Sequence, residues 1–359
     1  MLSVDGIPSE NGIFQEVSQE VKNLQEDIKT GNFRKAYLLY GEEQYLLEQT
    51  VKKIKALFGE CINGINYIQI DESNVNQLIA DIETPSFGYE KKLIIAKKSG
   101  VLKKEGKRKS EELTKLKKRV SEYIANNIEI IKQSVVLIFV EDDVEKLSLY
   151  KTIDKYGVVC CFEYQKPIQI IQRLKEICNL YKVNIDNSTL QYLIECCGTN
   201  MQDLINEMRK LIEYAGENGT IIKNDIDMLC IKKLESVIFD LTDSLGKRNI
   251  ANALEVLKNL LYAKEPLQKI LVTLYNHFKR LYITSAAMYF NRDLIDSLQL
   301  KPNQTFLVNK YKMQTRYFKP KELRGILQDL CDLDYKYKNG LIDLQIGLET
   351  VLCKYCGNN

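Results

Sequence analysis

A parallel α/β domain followed by two all-helical domains is the architecture this sequence predicts, and three observations carry it. Up to residue 165, short apolar runs alternate with amphipathic stretches, the pattern of strands covered by helices on both faces. Beyond Gln165-Lys166-Pro167 no convincing strand pattern recurs, and the apolar residues take helical spacing. Finally, 359 residues with 45% apolar content are enough for two or three cores. The expected domains are 1–165, 166–233 and 234–359.

The strands of the first domain are read as Ala36–Tyr40, Tyr67–Asp71, Lys92–Ala96, Val135–Val140 and Val158–Phe162, each short and rich in Val, Ile or Leu. Helices are placed at Tyr45–Phe58, Val75–Glu83, Glu111–Asn126 and Leu147–Lys155. The first strand runs into Gly41-Glu42-Glu43-Gln44 and then a helix, the layout of a phosphate-binding loop. Only the first glycine of such a loop is present. Leu46, Leu47 and Glu48 replace the second glycine, the phosphate lysine and the magnesium-binding hydroxyl. Glu42 and Glu43 place carboxylates where the positive end of the helix dipole would hold an anion. The scaffold is of nucleotide-binding type and the site is degenerate.

In the second domain Pro167 opens a helix with the stripe Ile171, Leu174, Ile177, Cys178 and Tyr181. Ser188 and Gln191 are read as a capping box for the next helix. A third helix spans Met201–Tyr214, and a short one spans Asn224–Cys230. Longer helices follow from Ser236, broken at Pro266, Pro302 and Pro320.

Composition excludes several classes. A net charge of +3 with 28% charged residues argues against a dedicated high-affinity nucleic-acid binder. No apolar run approaches the roughly 20 residues of a bilayer span, and Met1–Ile13 has no secretory signature, so a cytoplasmic protein is expected. The ten cysteines lack the paired spacing of a zinc site: Cys353-Lys354-Tyr355-Cys356 has no second pair, and buried or inert thiols are expected, with no metal and no cofactor. His277, the sole histidine, has no catalytic motif around it and is assigned to packing or surface. Val135–Val140 followed by Glu141-Asp142-Asp143 mimics a magnesium-binding strand end, but the third strand ends in Lys97-Lys98, so these are read as loop acids. Lys107, Arg108 and Lys109 centre the strongest basic run and are candidate phosphate contacts, although no aromatic residue is interleaved to stack bases.

Five segments in fixed order resemble the delta subunit of the bacterial DNA polymerase III clamp loader. They are Ala36–Leu46, Glu83–Ile95, Val237–Gly246, Ala253–Leu261 and Leu333–Gly340. The resemblance implies an AAA+-like domain without a functional phosphate loop, a small helical lid, and a helical collar that packs with other subunits. It assigns Pro85, Ser86, Phe87, Gly88 and Tyr89 to the turn that contacts the sliding clamp. Phe87 is the apolar anchor, and Ser86 stands where the family usually has a second apolar residue. Losing a Leu-sized anchor there costs roughly 1.5–3 kcal/mol, which implies a weaker or reshaped contact. The residues alone leave Phe87 open between a core position and an exposed turn tip.

The resemblance implies a non-hydrolysing subunit that binds and helps open the clamp. Its partners are the loader's ATPase subunits, a delta-prime-like subunit and, through the complex, primer-template DNA, with no membrane. Two readings of other classes stand beside it: an active AAA+ ATPase with a divergent loop, and a helical adaptor unrelated to replication. The sister subunit of the same loader usually carries zinc-type cysteines in its first domain, which this chain lacks.

Overall fold

The computed structural model describes residues 19–33, 36–103 and 111–356, so Lys107, Arg108 and Lys109 lie outside the described part. The chain forms two compact units that part at Tyr164/Gln165.

In the first unit β1 (Ala36–Tyr40), β2 (Tyr67–Ile70), β3 (Lys92–Lys97), β4 (Val135–Glu141) and β5 (Val158–Cys161) form one sheet in the order β2-β3-β4-β1-β5. Every pairing is parallel. Each strand lies within one residue of its expected span. Alternate residues serve opposite faces. Tyr37, Leu39, Ile95 and Ile138 pack with Leu24 of α1 (Gln19–Thr30) and with Leu47 and Ile54 of α2 (Gln44–Phe58). Leu38, Ile94, Leu137 and Phe139 pack on the other face. There they meet α3 (Leu78–Glu83), α4 (Glu111–Asn126), α5 (Ile128–Ser134) and α6 (Ser148–Tyr156).

The connection leaving β1 therefore runs over one face and the one leaving β4 over the other. Their carboxyl ends flank the switch point where open α/β sheets keep their ligands. Two helices were not read from the sequence. α1 is mostly polar and anchors through buried Leu24 and the Tyr37 hydroxyl, which bonds to Asp27 at 3.0 Å. α5 runs into β4 with no Gly or Pro between them.

The second unit begins with α7 (Pro167–Leu180), α8 (Asn187–Cys197), α9 (Met201–Ala215) and α10 (Lys223–Leu229). A parallel pair of two-residue strands, β6 (Asn184–Ile185) and β7 (Thr220–Ile221), joins two of their loops; two residues are too few to leave a sequence pattern. The cap of α8 is Asp186, not Ser188: the carboxylate accepts the Thr189 N–H at 2.6 Å, and the Ser188 hydroxyl only supports it.

There follow α11 (Leu234–Gly246), α12 (Ile250–Tyr262), α13 (Leu267–Tyr289), α14 (Leu294–Leu298), α15 (Leu307–Thr315), α16 (Pro320–Lys338) and α17 (Leu344–Cys356) around one apolar core. Pro266 precedes α13 and Pro320 opens α16, as the sequence breaks require. Among the described residues no helix is long and apolar enough to cross a membrane.

His277 sits in this core. Its Nε2 lies 2.8 Å from Gln314 Oε1. The Gln314 amide donates to the Phe239 carbonyl at 2.8 Å and to Asp243 at 2.7 Å. With the Gln314 nitrogen committed as donor, its oxygen must accept, so the imidazole carries its proton on Nε2. Burial holds the His277 pKa down at about 4. The folded value lies below the unfolded one, so the stabilising contribution is complete above pH 6.5 and is lost as pH falls toward 4. We expect acidification across that window to cost about 1–3 kcal/mol. In His277→Gln the pH dependence should flatten even if neutral stability drops, as urea midpoints at pH 7 and pH 4.5 would record.

Candidate functional site

The loop after β1 is folded against its own sheet. Gly41 has φ +132, and a Cβ there would lie 2.4 Å from the Phe162 carbonyl oxygen, so only glycine fits. The Gly41 N–H donates to the Glu141 carbonyl at 3.3 Å, and the Glu43 N–H donates to the Phe162 carbonyl at 2.9 Å. The Gln44 side chain closes the loop with a bond to the Gly41 carbonyl at 2.8 Å. Two N–H groups that a phosphate cradle would aim outward are thus taken by carbonyls. Glu43 is buried, Glu42 is exposed, and Leu47 is wholly buried in the α2 face of the core with Leu46 partly so.

The charges around the switch point are also reversed. Glu48 on α2 pairs with Lys97 at the end of β3, at 3.1 Å. A hydrolytic site would instead place a hydroxyl on the helix and a metal-binding acid on a strand end. Both partners are half exposed, so the pair adds little stability. Glu141 is not a loop acid: it ends β4, is buried, and accepts from the Ser99 N–H at 3.1 Å and the Ser99 hydroxyl at 2.9 Å. Burial raises its pKa while the Ser99 bonds oppose the rise. Asp142 pairs with Lys98 at 2.8 Å, and Asp143 accepts the Val144 N–H at 2.8 Å. An open groove of about 620 Å³ beside the loop is lined by Lys52, Lys55, Lys97 and Lys98 together with Glu48 and Asp71. These lysines are scattered along the sequence, and only the fold collects them.

The second candidate site is the turn between α3 and β3. The Tyr89 N–H donates to the Ser86 carbonyl at 2.7 Å, and the Ser86 hydroxyl donates to the Tyr89 carbonyl at 2.7 Å. Gly88, third in this four-residue turn, has φ +82, as a type II turn demands. Phe87 stands second in the turn, and 74% of it is exposed. The choice left open by the sequence is thereby decided: Phe87 is a tip and not a core residue. Ser86 serves as the staple of the turn. Tyr89 is no companion to Phe87 at the tip: its phenol bonds to Glu60, and partial burial followed by that carboxylate raises its pKa. Beneath the turn, buried Lys92 donates to the Asp81 carbonyl at 2.9 Å and the Thr84 carbonyl at 2.6 Å, closing the carboxyl end of α3. Burial lowers the Lys92 pKa and Asp81 partly restores it. No local motif announced that lysine, because its partners lie eight and eleven residues away.

Of the basic run, Lys103 lies 3.7 Å from Glu72 and Lys117 lies 3.7 Å from Glu145. The cysteines divide more evenly than expected. Cys160, Cys178, Cys196, Cys197 and Cys356 are buried, but Cys161, Cys331 and Cys353 are exposed.

Comparison with known proteins gives the family. Residues 37–165 match the model described as "DNA polymerase III, delta subunit", and residues 235–355 match "DNA polymerase III delta subunit, C-terminal domain". The chain belongs to the DNA polymerase III delta subunit family. It is 25% identical to the DNA polymerase III subunit delta of Bacillus subtilis (strain 168), over 94% of this chain and 98% of the relative. It is also 26% identical to the probable DNA polymerase III subunit delta of Aquifex aeolicus (strain VF5), over 84% of this chain and 85% of that relative. Among solved structures, the Bacillus subtilis DNA clamp loader delta protein shares the fold with a TM-score of 0.66. That match has 24% identity and covers 94% of this chain and 100% of the other. The matched family places the chain among DNA replication proteins.

Two substitutions test the construction of these sites. Gly41→Ala should cost about 2–5 kcal/mol from overlap and backbone strain, read as a large fall in the urea midpoint. Lys92→Met should cost about 1–3 kcal/mol, because it strips two carbonyls of their donor. Hydrogen exchange would show the loss centred on α3 and the Phe87 turn.

Proposed function

We propose that this chain is the subunit of the DNA polymerase III clamp loader that grips the sliding clamp and helps open it, without hydrolysing ATP itself. The observation that carries the reading is Phe87, an aromatic ring presented alone at the tip of a turn pinned by Ser86 and Lys92. A large apolar side chain on a rigid turn loses little entropy on docking and suits a hydrophobic pocket. Pro85 and Gly88 set the shape of the turn, and Tyr89 fastens its trailing side. Because Ser86 is spent within the turn, the clamp's pocket has one anchor to receive.

Opening follows only if the clamp's open form binds the turn better than the closed form does, since equal affinity for both shifts nothing. The non-hydrolysing reading is supported by the inward N–H groups of Gly41 and Glu43, by buried Leu47 in the lysine position, and by the reversed pair Glu48–Lys97. ATP chemistry then belongs to neighbouring loader subunits.

The second unit is proposed to comprise a lid, 166–233, and a collar, 234–359. The gap between the two family matches supports that division. Exposed Tyr262, Tyr289 and Phe290 give the collar apolar surface for the other loader subunits. Primer-template DNA is met through the assembled complex, Lys107, Arg108 and Lys109 being proposed phosphate contacts, and the working compartment is the cytoplasm. The active-ATPase reading has no observation in its favour.

Phe87→Ala should lower affinity for the organism's own sliding clamp by tenfold or more while leaving the urea midpoint within about 0.5 kcal/mol of wild type. Equal clamp binding by wild type and variant would remove Phe87 from the contact. ATP hydrolysis by the isolated chain would overturn the non-hydrolysing reading.

A further inference from the structure

We infer that Cys197, Glu207 and Cys230 form a binding site for a thiophilic divalent cation of the zinc class. The three come from three helices: Cys197 is the last residue of α8, Glu207 lies in α9, and Cys230 follows the end of α10, where its N–H donates to the Ile226 carbonyl. One sulfur or carboxylate oxygen of each lies within 4.8 Å of both others. In a tetrahedral site with Zn–S near 2.3 Å and Zn–O near 2.1 Å, neighbouring donors stand roughly 3.5–3.8 Å apart. Small side-chain rotations would close these three donors onto one ion. A water molecule would complete the tetrahedron from the side of half-buried Cys230.

The surroundings suit such an ion. Cys197 is buried and the Glu207 side chain is only 13% exposed, so the donors are sheltered from bulk water. One Glu207 oxygen, Oε2, is already fixed by the Ile231 N–H at 3.1 Å and by Lys210 at 2.6 Å. Lys210 is held in turn by the Leu229 carbonyl at 3.1 Å. Such outer partners orient a ligating carboxylate and raise its affinity. Two thiolates and a carboxylate around a divalent ion leave one negative charge, which Lys210 offsets, while Lys233 nearby is paired with Asp203 at 2.6 Å. Binding is a proton-for-metal exchange: two thiols, one carboxylate and M²⁺ give the metal complex and two H⁺. No redox partner is needed. The ion would tie α8, α9 and α10 together four residues before α11 begins, and the Lys233 N–H already bonds to the Cys196 carbonyl there, at 2.9 Å.

The metal-like spacing in the sequence, Cys353 and Cys356, has no second pair beside it; both lie on α17, Cys353 exposed and Cys356 buried. The discriminating measurement is titration of the reduced, metal-free full-length protein with Co²⁺, followed by absorbance. We expect one equivalent to bind, with a near-ultraviolet sulfur-to-cobalt band and the red bands of tetrahedral cobalt, both displaced by Zn²⁺. Cys230→Ser should weaken binding and leave any bound cobalt with a clearly diminished sulfur band, Glu207→Gln should weaken binding tenfold or more, and Cys353→Ser should behave as wild type. Absence of the bands in wild type would overturn the site. So would bands of wild-type intensity and affinity in both Cys230→Ser and Glu207→Gln, or bands lost in Cys353→Ser. Should Cys230→Ser fail to fold, the comparison of Glu207→Gln with Cys353→Ser decides alone.

Discussion

The Glu43 N–H bonded to the Phe162 carbonyl is the contact on which the character of the first unit depends. It ties the loop after β1 to the end of β5, on the side of β1 opposite the β1/β4 switch point where a sheet of this topology ordinarily holds its ligand. A helix amino end usually offers unsatisfied N–H groups and a positive dipole to an anion. Here Gly41 lets the backbone approach the Phe162 carbonyl closely enough that both loop donors find acceptors inside the protein. Once the loop is closed, Leu47 can be buried where a lysine would have had to face solvent, and Glu48 can face Lys97. The substitutions form one consistent set around one backbone geometry.

With its phosphate loop occupied by its own chain, the α/β unit becomes a rigid mount. The covered parallel sheet fixes the start of β3, and buried Lys92 carries that rigidity into the carboxyl end of α3. The turn between them is held by the Ser86–Tyr89 bonds and the left-handed Gly88, which leaves Phe87 outward. Recognition by a single anchor places a premium on preorganisation, because a mobile tip would lose binding energy to ordering.

How much of this was legible in the sequence varies with the range of the interactions involved. The strands were legible because burial on both faces demands unbroken apolar runs, and the degenerate loop because it differs from a working one residue by residue. α1 was not, since its polar sequence is held by Leu24 and by a bond between Asp27 and Tyr37 that only the fold creates. Ser86 read as a missing anchor because its hydroxyl partner is a backbone carbonyl, which has no sequence signature. Glu141 read as a loop acid because strand length does not reveal that Ser99 waits across the sheet to receive it. The grouping of Cys197 with Glu207 and Cys230 was hidden for the same reason: three helices must pack before the donors meet.

The proposed role, a clamp opener that works without nucleotide of its own, rests on the closed phosphate loop and the exposed Phe87. It is tested most directly by release of a preloaded sliding clamp from nicked circular DNA, with the isolated chain added and no nucleotide present. The account predicts release that is faster than spontaneous dissociation, unchanged by ATP, and abolished by Phe87→Ala. Release that requires ATP bound to this chain, or that proceeds equally well with Phe87→Ala, would contradict it.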